Sequence, residues 1–369
     1  MNKVIKKTAA AVTVFAMAGS MALSCGCSSK KHLIIYNWGE SIAEDTISKF
    51  EVAYPQYEVV YRTFETNETM YPNLSNGYDV IIPSDYMVCR LIDEDWIQPV
   101  DWSKLPNVEA NMDPMFKTMK YTDNQEISDE VLDYAIPYLY CTVGLVYDAN
   151  KISIPDDTTD PSVIWGVLFD EANADKVGMY DSMRESIGAA LNYLGYSINT
   201  MDEGQLDEAL QLLIDQKANL RPAYGVDNLK DKMASGELAA SIAWSGDHIV
   251  MLDRIAELGN TDIDLKYVLP KGSNWSVDMM CVPTNCKNYE GAMDFINFMY
   301  DPEIALENCE YVGYSTPNVA AKAMLDPDVS GNPYYYPTED IFSTLEVYYT
   351  SDALEERYTE LWNTVKASA

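Results

Sequence analysis

Histidine is nearly missing from this chain: His32 and His248 are the two present in 369 residues. A Ser-His-Asp hydrolase would have only His248 as its base, and no Gly-x-Ser-x-Gly elbow occurs. Cysteine is equally unhelpful. Beyond an N-terminal pair, Cys89, Cys141, Cys281, Cys286 and Cys309 remain, an odd number without metal-ligand spacing, so neither a disulfide framework nor a zinc site is indicated. No glycine-rich loop that could cradle phosphates is present, and the sequence calls for no cofactor and no metal. Basic residues are outnumbered, 25 Lys and Arg against 58 Asp and Glu, for a formal charge of −33. Such a surface repels nucleic acid and anionic headgroups and attracts small cations, although solubility alone would also account for much of it.

What is present begins with export. Lys3, Lys6 and Lys7 precede a small, apolar stretch from Ala9 to Ala22, followed by Ala22-Leu23-Ser24-Cys25-Gly26-Cys27. That is a secretory signal, too short for a membrane span. It resembles a bacterial lipoprotein signal, in which the cysteine at the cleavage point becomes the lipidated first residue. Cys25 and Cys27 both satisfy it, with Cys25 slightly preferred. Residues 1–24 are therefore read as signal and 25–31 as a tether, leaving an extracytoplasmic chain held to the membrane by lipid alone. Removing the signal takes away three lysines and no acid, which deepens the negative charge. Apolar residues at 47% and 27 tyrosines exclude a disordered acidic tail.

The remaining length exceeds one ordinary core and predicts two domains. Strand patterns at Leu33–Tyr36, Glu58–Phe64 and Asp79–Ile82 alternate with helical spacing at Ala43–Ala53 and a short helix at Met70–Leu74. Strands at Gly144–Tyr147, Glu237–Trp244, Lys266–Leu269 and Met279–Val282, with helices at Ser186–Leu194, Asp207–Gln216 and Gly291–Met299, continue the theme. Alternation of this kind predicts an α/β fold with mostly parallel sheets and ligand loops after the strands. No linker separates two halves, so the chain is expected to cross between domains more than once and to form a cleft there.

Tyr36-Asn37-Trp38-Gly39-Glu40 ends the first strand with an aromatic face and a carboxylate. Together these suit an organic ammonium, attracted by the ring quadrupole and neutralised by the acid. An edge tryptophan beside a solvated glutamate fits the five residues equally well. Trp244 could likewise be plain core, and Asp247 could simply cap the following helix. Asp278, entering the apolar run Met279–Val282, is harder to read as surface.

Five segments in order resemble the bacterial spermidine/putrescine-binding proteins. They are Tyr36–Glu40, Thr66-Asn67-Glu68-Thr69-Met70, Tyr78–Ser84, Ala243-Trp244-Ser245-Gly246-Asp247 and Gly313-Tyr314-Ser315-Thr316-Pro317-Asn318. The resemblance implies a two-lobed periplasmic-binding-protein-like fold of type II, lobe one being 32–137 plus 277–321 and lobe two 138–276 plus 322–369. It implies a polyamine in the cleft, ABC permease transmembrane subunits as partners, a monomer, and no catalysis. Trp38 and Glu40 match an aromatic wall and its acidic partner. Ser84 and Tyr86 match a hydroxyl and an aromatic after the third strand, with Asp85 between them. Glu185 matches a carboxylate before a helix, and Asp181 falls one residue from a second one. Trp244 matches a ring along the methylene chain, Asp247 an acid of putrescine-preferring members, Asp278 an acid gripping an amine, and Tyr314 a further wall. Gly39 departs from a hydroxyl-bearing residue, and Ser276 stands where the family places an aromatic; either Trp275 next door swings in or the loop is one residue longer. Glu40, Glu185, Asp247 and Asp278 together would suffice for two or three ammonium groups, which leaves putrescine against spermidine open.

Two rival readings are weighed beside this one. Paired carboxylates among aromatics could hydrolyse glycosides. The tyrosines at Tyr334-Tyr335-Tyr336 and Tyr348-Tyr349 could serve a ferric receptor, or the cleft a sugar, although tryptophans would be wasted on a bare ion.

Overall fold

The computed structural model describes residues 30–368, so the signal segment and Cys25 and Cys27 lie outside the described residues. The first strand, β1 (Lys31–Trp38), already begins within the stretch read as tether, because Lys31 pairs with Tyr57 of β2 (Tyr57–Phe64). β3 (Val80–Ile81) flanks β1 on its other side, also parallel, which is why the centre of β1 is apolar throughout. β4 (Ile97–Gln98) is a short addition that pairs with a late strand.

The chain then enters β5 (Ala135–Asp148), fourteen residues buried along their whole length. Sequence patterning shows only its second half, Gly144–Tyr147; the first half hides behind Pro137 and the tyrosines. β6 (Val177–Tyr180), β7 (Ala223–Gly225) and β8 (Ala240–Trp244) form a second parallel group, joined by β9 (Leu265–Val268). β10 (Trp275–Pro283) returns to the first group. The strand order is β2-β1-β3-β10-β5-β8-β6-β7, with β4 on β10 and β9 on β5. β5 therefore belongs to both halves: Ala135–Thr142 pairs antiparallel with β10, and Val143–Asp148 pairs with β8 and β9.

Two hydrophobic cores divide at the same point. One gathers Leu33, Ile35, Phe50, Val80, Ile136, Val277 and Phe295 around the first strand group. The other gathers Leu145, Trp165, Met179, Ile187, Leu213, Ile242 and Tyr358 around the second. The fold is thus two α/β lobes sharing one strand. The C-terminal stretch serves both: Leu325, Tyr335, Tyr336 and Tyr348 pack in the first core, and the helix Asp352–Ala367 lays Leu354, Tyr358, Leu361 and Val365 into the second.

Just past the point where β5 changes lobes, Gly144 is required by packing. A Cβ there would come within 2.5 Å of the Val268 carbonyl oxygen and 2.6 Å of the Tyr267 ring. Gly144→Ala should therefore force β5 and β9 apart, costing about 1–3 kcal/mol. The expected readout is a lower urea midpoint with an unchanged slope.

Candidate ligand-binding site

The carboxyl ends of parallel strands in an α/β sheet are where loops are free to hold ligand. Here the two lobes turn those ends toward one another. β1 ends at Trp38 and β3 leads into Ser84, while β6, β7 and β8 lead to Glu185, Lys230 and Trp244–Asp247. The contacts between the sets are direct. Glu40, after β1, accepts a hydrogen bond from Lys230 Nζ at 2.9 Å. The Arg184 guanidinium lies 5.3 Å from the Tyr86 ring centroid. The Trp244 and Tyr314 rings lie 6.4 Å apart, edge to face.

Asp278 stands at the centre of the first wall. It is half-buried on β10 and accepts a hydrogen bond from Ser84 Oγ at 2.9 Å. Ser84 is in turn held by Asn67, whose amide donates to Ser84 Oγ at 3.2 Å and to the Tyr86 hydroxyl at 3.0 Å. The short helix Asn67–Met70 that carries this amide is fixed locally by a reciprocal capping box between Thr66 and Thr69. Tyr86 donates onward to Glu68 at 2.8 Å. The Trp38 indole N–H is buried with no hydrogen-bond partner, yet it lies near enough to Asp278 to favour the carboxylate form. Burial outweighs these helpers and pushes the Asp278 carboxyl up to about 7.

The second wall is built on the helix Ser245–Leu258. Its first turn holds Asp247, but that side chain does not cap the helix. One oxygen takes the Tyr180 hydroxyl and the other faces Lys230 Nζ at 3.8 Å. Tyr180 also stacks at a tilt on Trp244, centroids 4.4 Å apart, and its hydroxyl accepts from the Trp244 backbone N–H at 2.8 Å. Trp244 is therefore half-buried at the margin of the second core. Gly246 lets Tyr314 reach it, since a Cβ at Gly246 would fall 2.0 Å from the Tyr314 ring. Burial raises Asp247, and Lys230 and Tyr180 pull it back.

Glu185 sits in the first turn of the helix Met183–Tyr193, half-buried, with the Ser182 hydroxyl as its partner. Burial raises its carboxyl too, against the hydrogen bond from Ser182. Cys141 on β5 lies between the walls: burial first, then the charges of Asp278, Asp247 and Glu185, push its thiol far up. A thiol so placed is an inert floor.

Other predicted residues lie elsewhere. Trp275 is one of the two candidates to make good the missing aromatic. Strand parity places it on the opposite face from Asp278, buried edge-on against Phe342 at 5.4 Å. Ser276 shares the Asp278 face instead and lies 3.9 Å from Cys141 Sγ. Asp181 is exposed and bonded to Lys366 at 2.8 Å, facing away from the cluster. Asp85 is fully buried in its helix, holding the Tyr86 N–H with one oxygen and nothing with the other. Burial raises it well above the usual range. Sequence reasoning missed Lys230, Arg184, Arg254, Tyr180 and Cys141. No local signal separates Lys230 from Lys232 two residues on; only its burial and its contacts in the fold do.

His248 is a core residue, held between the Tyr335 hydroxyl at 2.7 Å and the Leu265 carbonyl at 3.2 Å, and burial lowers it to about 4. Among the described residues no group of His, Cys, Asp and Glu is arranged to hold a metal. The tyrosine runs are spent on packing: Tyr335 meets His248, Tyr336 meets Tyr140, and Tyr348 meets Tyr86.

The site's acidity opposes the fold's own stability. An unfolded aspartate ionises near ~3.9, whereas folded Asp278 does so at about 7. Between those values the folded chain keeps a proton that the unfolded chain releases, so stability falls as pH rises from about 4 to 7 and stays low above that. Asp278→Asn should therefore stabilise the unliganded protein at pH 8, by roughly 1–4 kcal/mol. At pH 4 the gain should vanish. Melting temperatures of both proteins across that range check it.

Against known proteins, residues 46–336 match the bacterial extracellular solute-binding protein family. The chain is 31% identical over its full length to all of the putrescine-binding periplasmic protein SpuD of Pseudomonas aeruginosa. It is also 31% identical, over 95% of this chain and 97% of the relative, to the spermidine/putrescine-binding periplasmic protein of Escherichia coli. Among solved structures, the spermidine/putrescine ABC transporter substrate-binding protein PotD of Streptococcus pneumoniae, in complex with calcium and HEPES, superposes with a TM-score of 0.72 at 33% identity. That match covers 91% of this chain and 99% of the other.

Proposed function

Because the chain belongs to the bacterial extracellular solute-binding protein family, we propose that it captures a linear polyamine outside the cytoplasm and delivers it to an ATP-driven membrane permease. The observation that carries this reading is a pair of half-buried carboxylates, Asp278 and Glu185, whose hydrogen-bond partners are serine hydroxyls and not cations. Leaving a buried acid without a cation is unfavourable, and two ammonium groups on a flexible apolar chain would correct both. Trp38, Trp244, Tyr314 and Tyr86 supply faces for the methylenes and for the ammonium groups, each desolvated cation–π contact contributing up to about 2 kcal/mol.

Capture would favour the closed arrangement of the lobes, because the ligand bridges residues of both and a drier cleft strengthens each pair. A permease could then read occupancy from the relative orientation of the lobe tips. Among the described residues no helix is long and apolar enough to cross a membrane. Attachment is proposed through a lipid on Cys25 or Cys27, with the receptor acting as a monomer and without turnover of its ligand.

Titration calorimetry with putrescine, cadaverine, spermidine and spermine tests the reading; no heat and no melting shift from any of them at millimolar concentration would overturn it, since a bound ligand raises stability. Asp278→Asn should weaken binding more than Trp244→Ala, because unpairing a desolvated ammonium costs about 3–5 kcal/mol against about 2 for one lost ring contact. Binding should also weaken in acid. The amines stay charged, but Asp278 takes up a proton below about 7, so affinity should drop about tenfold between pH 8 and pH 6. A flat profile over that range would remove Asp278 from the site.

A further inference from the structure

Glu40, Glu185, Asp247 and Asp278 could each partner a ligand amine, but the chain itself supplies a cation to two of them, Glu40 and Asp247. Lys230 is 5% exposed, on the helix Asp227–Ala234. Its Nζ donates to Glu40 at 2.9 Å and to Asp227 at 2.9 Å, and stands 3.8 Å from Asp247. The second Asp247 oxygen is taken by Tyr180, and Glu40 also has Arg254 at 3.6 Å. Burial by itself would lower the Lys230 ammonium; Asp247, Asp227 and Glu40 reverse that and hold it charged.

We propose that Lys230 is a built-in ammonium filling the amine position at Asp247 and Glu40, so that the site takes a diamine, one end on Asp278 and the other on Glu185, and discriminates against a triamine. The inference rests on the polyamine reading above. Asp278 and Glu185 are the two members of the set outside any ion pair among the described residues, and two acids match two amines. A third ammonium extending toward Asp247 would meet Lys230, a like charge in a partly dry cleft, with no unpaired acid there to offset it. Extension past Glu185 would meet the other fixed cation. Arg184 is 2% exposed, paired with Glu355, and lies 5.3, 5.5 and 5.3 Å from the rings of Tyr86, Tyr348 and Tyr358. A fixed cation thus lies beside Glu185 as well as beside Asp247.

Competitive titration of putrescine and spermidine into the wild-type protein, Lys230→Met and the double variant Lys230→Met/Asp247→Asn tests this. Wild type should hold putrescine at least about tenfold tighter than spermidine, the scale of one close charge pair. Lys230→Met frees Asp247 and should shift that ratio about tenfold toward spermidine, while the double variant, which removes the freed acid, should return it. Wild type preferring spermidine would overturn the proposal, as would a folded Lys230→Met whose ratio stays within about twofold of wild type. Should Lys230→Met not fold, the wild-type ratio and the double variant, in which both charges of the pair are gone, still decide. Absence of binding by any polyamine to wild type would instead sink the polyamine reading itself, a distinct result.

Discussion

An acid half-buried between two lobes without a cation is the constraint on which this molecule turns. Asp278 is held by a serine hydroxyl and approached by an indole N–H, and still its carboxyl is pushed to about 7 by burial. Everything placed around it supports that arrangement: Asn67 fixes Ser84, a capping box fixes Asn67, and Tyr86 is fixed between Asn67 and Glu68. Stability is given up there, at one of the two carboxylates proposed to meet a ligand's charge, a familiar tension between fold and function.

The covalent frame makes such a position possible. β5 runs through both sheets, and the lobes meet across its midpoint, where Cys141 and Thr142 give way to Val143. Its floor is rigid on either side because each half is paired by neighbours, β10 on one and β8 and β9 on the other. The walls are also tied: Gly246 lacks a side chain where Tyr314 packs, so a residue following β10 touches the helix after β8. An acid on β10 and acids after β6 and β8 are thereby presented to one cleft from different lobes.

Much of this was legible in the sequence. The strands whose apolar runs are short and bounded by turn residues, such as β3 before Pro83-Ser84 and β8 before Ser245-Gly246, fall where the pattern puts them. The helix of residues Met183–Tyr193 likewise follows from its apolar spacing. The first half of β5 was not legible, because its alternation of Pro, Tyr and Cys is buried on both faces and shows no period. In the site, residue type pointed to Trp38, Asp278 and Trp244, but parity decided between Trp275 and Ser276, and parity depends on register across β10 and β5, which no local pattern carries. Asp181 and Glu185 look equivalent in sequence; four residues apart across a helix start, one faces Lys366 and the other the cleft.

Charge pairing is what the sequence shows least, and the reason is physical. Counting acids assumes that each is available, whereas in a chain with 58 acidic and 25 basic residues the few cations decide which acids are spent internally. Lys230 pairs with Glu40 and stands beside Asp247 from a helix that no motif singled out. A buried lysine beside three carboxylates is also hard to displace, because moving its ammonium aside would leave Asp227 and Asp247 unpaired at once. An exposed surface lysine could yield to an incoming amine at little cost; this one, at 5% exposure, has no water to go to. Selectivity among chemically similar amines can therefore reside in a side chain of the same chemistry as the ligand, built into the wall and competing for the same acids.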